Sequence, residues 1–242
     1  MTENKLSQSE QKILAARTAI DTLINEKLIF SGMKIGLGTG STAMPAVQRL
    51  AERIKDGTLA DIKAVATSFQ TTIACEDLQI PVFSMNSKQI GGSLDLAIDG
   101  ADEVSPEKNL IKGGGAALLL EKIVAYNAKQ FVIVADSSKA VPSIGTKFPL
   151  PVEIIPEARV AVIREIEKLG ASCTLRQGVK KAGPVITDNG NLILDILWQT
   201  PPDSVEMEKA LNRITGVVEN GFFTQNKPIV FVAQPDGSVK RI

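Results

Sequence analysis

Apolar positions along the chain alternate between helical stripes and short continuous runs. Residues Ser7 to Glu10 have the Ser-x-x-Glu spacing of a capping box, and Ile13, Ala16, Ile20 and Ile24 follow on one helical face, which predicts an opening amphipathic helix. The run Met33 to Leu37 predicts a strand, and the segment 38–42 a glycine-rich turn. Ala43, Ala46, Val47, Leu50 and Ile54 recur at helical spacing with Pro45 in the first turn, predicting the next helix. Strands are expected at 62–66, 81–84 and 94–98, and a helix at 69–78. A further helix over 116–128 leads into the apolar run Phe131 to Ala135. Such alternation implies a parallel sheet with helices on both faces.

Beyond Phe148 the pattern changes. A Pro-rich extended piece is followed by a helix from about Glu157 to Leu169, strands at 172–176, 185–187 and 192–195 around the turn at Asp188 to Gly190, and a helix capped by Ser204 that runs to Arg213. The apolar run Ile229 to Ala233 suits a strand returning to the first sheet. The expected fold class is therefore α/β: a Rossmann-like parallel-sheet domain over 1–147 and 224–242, with a smaller α+β domain, 148–223, inserted near the C-terminus.

Composition narrows the chemistry more than it changes this fold. With 44% hydrophobic and 22% charged residues, the 242-residue chain has an ordinary globular balance, and no apolar run is long enough to span a bilayer. Residues 1–12 are polar and lack an apolar signal core, so the expected location is the cytoplasm. Lys plus Arg equals Asp plus Glu at 27 each, which argues against nucleic-acid binding. There is no histidine, so the commonest general base, the commonest zinc ligand and imidazole-dependent triads are all excluded. Cys75 and Cys173 have no metal-type spacing and no imidazole to activate them, so they read as structural thiols.

Four loops are polar or glycine-rich where strands should end: Gly36 to Thr42, Asp99 to Glu103, Lys112 to Gly115 and Asp136 to Lys139. In a parallel sheet such loops are expected to meet at one edge and form a pocket of amides, hydroxyls, carboxylates and lysines. The first fails as a dinucleotide fingerprint, because Ser41 stands where the third glycine belongs, and as a Walker loop, because no Gly-Lys-Ser/Thr is present. It suits a single phosphate at a helix N-terminus, or a capped turn with no ligand. Asp99, Asp102 and Glu103 form an acidic cluster that fits a solvated turn or a divalent cation, although Lys112 shortly after suggests a cation built into the protein. Glu121, placed about two turns into a helix after Leu118 to Leu120, is the best placed base, since apolar burial raises a carboxyl pKa toward the useful range. A surface Glu beside a surface Lys is the alternative.

Taken together, the segments Gly36 to Ala43, Ile98 to Glu103, Ile111 to Leu118 with Glu121 and Lys122, Ala135 to Lys139 and Lys147 to Glu153 stand in the order and approximate spacing of the ribose-5-phosphate isomerase A family. Arg176 to Gly178 and Thr187 to Gly190 also resemble it, so the likeness covers nearly the whole chain. The resemblance implies a metal-free, cofactor-free aldose–ketose isomerase interconverting D-ribose 5-phosphate and D-ribulose 5-phosphate through an enediolate, usually a homodimer or homotetramer. It implies that Glu121 moves the proton between C2 and C1. Substrate contacts would come from Thr39, Gly40, Ser41 and Thr42, from Asp99, Gly100, Ala101 and Asp102, from Lys112, Gly113, Gly114 and Gly115, and from Lys139. Lys112 and the glycine amides would stabilise the enediolate, and Asp99 or Asp102 would assist ring opening. Residues 25–31 make the stretch before the first motif longer than in compact members, which argues against a phosphate contact from Lys12.

Two rival readings share these glycine-rich turns. A sugar-phosphate sensor of the kind found in bacterial regulators would need a DNA-binding partner domain, and about thirty residues before the first strand are too few. An amino-sugar-phosphate deaminase would be expected to use a ring-opening histidine, which this chain lacks.

Overall fold

A computed structural model describes residues 5–145 and 147–242. The chain forms two compact units. One comprises residues 5–100, Ile123–Ala140 and Asn226–Ile242, and the other Ala101–Lys122 and Val141–Gln225.

The first unit opens with α1 (Gln8–Asn25), where Ser7 Oγ accepts from Glu10 N–H and the Glu10 carboxylate accepts from Ser7 N–H at 2.7 Å, completing the capping box. Its buried face is Gln11, Ala15, Ala16, Ala19, Ile20 and Leu23, rotated from the expected stripe: Ile13 is 48% exposed. Then come β1 (Lys34–Leu37), α2 (Met44–Lys55), β2 (Lys63–Ala66), α3 (Phe69–Asp77) and β3 (Leu94–Gly100). The expected strand at 81–84 is reduced to a single bridge between Ala64 and Val82.

Two short strands, β4 (Glu103–Val104) and β5 (Leu110–Ile111), follow in the second unit, and α4 (Leu118–Tyr126) leads back to β6 (Ala128–Asp136). The sheet of the first unit has the order β2, β1, β3, β6, then β12 (Ile229–Ala233) and β13 (Val239–Arg241). All its pairings are parallel except the last, so the C-terminal strand does return to it. Ile35, Leu37, Leu96, Ile98, Val132, Val134 and Phe231 build the core between this sheet and its helices.

The second unit holds an antiparallel sheet of β7 (Leu150–Ile154), β8 (Ala171–Leu175), β9 (Leu192–Trp198) and β10 (Val217–Asn220), in the order β10, β7, β9, β8. Its helices are α5 (Arg159–Lys168) and α6 (Ser204–Leu211). Asp203, and not Ser204, caps α6, accepting from the Val205 and Glu206 amides. β11 (Phe222–Phe223) pairs with β5, and Ile111, Val141, Ile144 and Phe222 share one apolar core with Leu150, Val152 and Ile196. Packing thus puts 101–122 and 141–147 with the small sheet, where the expected boundary had them in the larger domain.

Candidate active site

In the first unit, β1, β3 and β6 run parallel side by side, so the loops leaving Leu37, Gly100 and Asp136 share one edge. Asp99 is buried at the end of β3, and its Oδ1 accepts from Thr39 N–H at 3.2 Å and Gly100 N–H at 2.7 Å. Gly38 makes this possible: a Cβ there would lie 1.9 Å from Asp99 Oδ1. The Thr39 hydroxyl lies 2.7 Å from those of Thr67 and Ser68, turning it into a hydroxyl cluster behind the loop. Gly40 N–H donates to Gln70 Oε1 at 3.1 Å. Ser41 is exposed, Thr42 lies against Gly100, and Pro45 in the first turn of α2 helps to start the helix.

Lys12 Nζ lies 3.1 Å from Ser41 Oγ. After α1 the chain folds back on itself, Leu28 N–H and Ile29 N–H both donating to the Leu23 carbonyl. Asp136 is buried and caps the short turn that carries the half-buried Lys139, accepting from Ser138 N–H at 3.0 Å. Sequence reasoning also missed Thr67 to Gln70. The signal was available, since β2 neighbours β1 and its polar exit reaches the same edge.

In the second unit, Lys112 ends the stretch that follows β5, and Glu121 lies in α4. Lys112 is 2% and Glu121 4% exposed, and Lys112 Nζ stands 3.1 Å from Glu121 Oε2. The helix begins only at Leu118, so Glu121 sits in its first turn and not two turns in. The expected earlier start fails because Gly113 takes φ +104° and Ala116 φ +60°, and Ala116 N–H closes a turn onto the Gly113 carbonyl. The Phe223 ring is met by two buried lysines, with Lys112 Nζ 5.5 Å and Lys122 Nζ 4.9 Å from its centroid. Lys122 is itself paired with Glu208 at 3.2 Å and Glu219 at 2.9 Å.

The acidic cluster does not act as one group. Ala101 and Asp102 are half-buried, and Asp102 Oδ2 accepts from Gly114 N–H at 2.8 Å. Glu103 is turned away, accepting from the Gly145 and Phe148 amides. Gly115, the last of the three glycines, is exposed. Each carboxylate is thus met by backbone amides, a strong form of hydrogen bond.

A family model described as ribose 5-phosphate isomerase A (phosphoriboisomerase A) matches residues 63–237. The chain is 60% identical over 237 residues to ribose-5-phosphate isomerase A of Treponema denticola, covering 97% of this chain and 99% of that one. It is 53% identical over 241 residues to that of Treponema pallidum, covering 99% and 95%. The solved ribose 5-phosphate isomerase A of Methanocaldococcus jannaschii superposes with a TM-score of 0.88 at 42% identity, over 98% of this chain and 99% of that one. A D-ribose-5-phosphate isomerase solved in complex with phospho-erythronic acid gives 0.90 at 42% identity, over 98% and 99%. With similarity this high along nearly its full length, the chain belongs to the ribose-5-phosphate isomerase A family, which interconverts ribose 5-phosphate and ribulose 5-phosphate in the pentose phosphate pathway.

Proposed function

We propose that Glu121 is the base of this isomerisation, taking the C2 proton of the open-chain aldose and returning it to C1. The observation that carries this reading is the buried Lys112–Glu121 pair, 3.1 Å apart, whose members stand on either side of the glycines 113–115 in the chain. An ammonium beside the base is positioned to stabilise the oxyanion that forms as the proton leaves, so the cis-enediolate meets positive charge without solvent rearrangement. Asp99 and Asp102, fixed by amides, contact the sugar hydroxyls, and one of them handles the ring-opening proton.

The 5-phosphate is assigned to Ser41, Thr42 and Lys12, with Lys139 adding charge. Lys12 and Ser41 are already in contact, and the amides at the start of α2 carry the positive end of the helix dipole. Thr39 and Gly40 hold the loop in shape. Phospho-erythronic acid, held by a structural relative, is a four-carbon sugar-acid phosphate whose carboxylate mimics an enediolate. The anion-binding loop has the chemistry to bind a phosphate, and the lysine–glutamate pair that to bind a carboxylate or an enediolate.

The enzyme is further proposed to act in the cytoplasm as a homodimer or homotetramer. Two free cysteines suit a reducing compartment, and Phe69 and Ile73, exposed one turn apart on α3, suit burial against another copy. Among the described residues no helix is long and apolar enough to cross a membrane.

Glu121→Gln tests the base. It is expected to lower kcat by ~10²–10⁴-fold with KM little changed, while the unmodified enzyme incorporates solvent deuterium into the sugar carbons. A variant keeping more than about a tenth of wild-type kcat would assign the proton to another group.

A further inference from the structure

Three glycines in succession are the least ordered way to build a loop, since glycine loses more backbone freedom on folding than any other residue. The loop Lys112 to Gly115 nevertheless has a fixed conformation, and the groups that fix it lie outside it. Arg176, just after β8, donates from Nη1 to the Gly113 carbonyl at 2.9 Å and to the Gly114 carbonyl at 3.0 Å. Its remaining donors face Asp195 of β9: Nε reaches Asp195 Oδ2 at 2.9 Å, and Nη2 pairs with Oδ1. The planar fork is thereby divided, two donors to a carboxylate and the two hydrogens of Nη1 to two carbonyls.

The consequence follows from peptide geometry. In a trans peptide the N–H points opposite to the C=O of the same unit. Drawing the Gly113 carbonyl toward Arg176 therefore turns the Gly114 N–H to the other side, where it donates to Asp102 Oδ2 at 2.8 Å. Drawing in the Gly114 carbonyl likewise turns the Gly115 N–H away from the guanidinium. A bulkier residue at Gly114 would displace the carboxylate that the loop holds, because a Cβ there would lie 2.7 Å from Asp102 Oδ1.

We propose that Arg176, braced by Asp195, is a positioning residue of the isomerase: it sets the peptide planes of the triple-glycine loop, and through them aims Asp102 and the Gly115 amide at the reacting end of the sugar. The inference rests on the site assignment above. Arg176 does not itself contact substrate in this scheme, and lysine cannot replace it, since an ammonium lacks the planar fork.

The test uses Arg176→Met, Arg176→Lys and Asp195→Asn, with Glu121→Gln in parallel. A misplacement of about 1 Å at a reacting centre costs ~10²-fold, so Arg176→Met is expected to lose ~10²-fold in kcat with KM changed less than about threefold. Arg176→Lys and Asp195→Asn should fall between it and wild type. Inhibition by phospho-erythronic acid should weaken by at least ~10-fold in Arg176→Met, because its carboxylate occupies the aimed end, whereas competition by inorganic phosphate should not change. Should Arg176→Met fail to fold, the two milder variants carry the same measurements. Wild-type kcat in the Arg176 variants beside an inactive Glu121→Gln overturns the positioning role and leaves the base intact. Equal weakening of both inhibitors also overturns it, as a general loss of structure. An active Glu121→Gln would instead refute the base assignment.

Discussion

Replacing Lys112 with Met isolates the charge of the proposed site, because Met retains most of the apolar stem that packs near Phe223. At the 3.1 Å separation of Lys112 and Glu121, an effective dielectric of about 20 gives an attraction of about 5 kcal/mol, part of which offsets the desolvation of both groups. Removing one partner of a buried pair costs ~3–5 kcal/mol, since the other charge remains uncompensated. For a chain of this length each kcal/mol shifts the melting temperature by roughly 2–4 °C, so Lys112→Met should melt roughly 6–20 °C below wild type. Losing one preorganised donor to an oxyanion should also lower kcat by ~10²–10³-fold. The double variant Lys112→Met/Glu121→Gln separates the two effects. With both charges gone its melting temperature should recover most of the loss, while its activity stays at or below that of the weaker single variant. Thermal melts and a ketose-formation assay on the four proteins complete the cycle. A double variant that melts at the sum of the single losses would refute the pairing, and Lys112→Met with near-wild-type kcat would refute its role at the enediolate.

Lys12→Met should raise KM for ribose 5-phosphate by ~10–100-fold, the worth of a hydrogen bond to a charged group, without slowing the poor turnover of free ribose; an unchanged KM would remove Lys12 from the phosphate site. Gly38→Ala places a methyl where the Asp99 carboxylate lies, and a loss of at least ~10²-fold in kcat/KM is expected, with full activity showing that Asp99 has no fixed role. Turnover should survive dialysis against a chelator, because Lys112 supplies the positive charge; activity lost in chelator and restored by Mg²⁺ would count against that reading. Burial pushes both the Cys75 and Cys173 thiols up to about 11, so neither forms much thiolate at pH 8 and alkylation should be ~10²-fold slower than for free cysteine, rising as pH climbs toward 11. Fast labelling of the folded protein at pH 8 would contradict this.

Most of the architecture was legible because the central strands are largely buried on both faces and therefore read as apolar runs, broken only by Asp95: Leu94 to Ile98, Phe131 to Ala135 and Ile229 to Ala233 all proved to be strands of one sheet. Legibility failed where two local rules competed. Asp203 and Ser204 are adjacent capping residues, and the sequence offers no reason to prefer the first. Ala116 and Ala117 are strong helix formers, yet Ala116 is drawn into a left-handed turn by the glycines before it, and the helix starts later than propensity suggests.

The candidate site was readable in its loops and unreadable behind them, for a physical reason. Pattern rules treat charge as a mark of solvent and supply no partner for Arg176, Asp195, Lys122, Glu208 or Glu153. Each is instead held by specific partners: Glu208 by Lys122 and Thr224, Glu153 by Thr187, Asn189 and Asn191, Asp195 by Arg176. Those partners stand from 16 to 86 residues away, beyond any periodicity. A loop of small residues can be recognised locally because its freedom is local. The groups that remove that freedom have to come from elsewhere in the chain, and a glycine-rich site therefore implies distant charged residues that a reading by local pattern assigns to water.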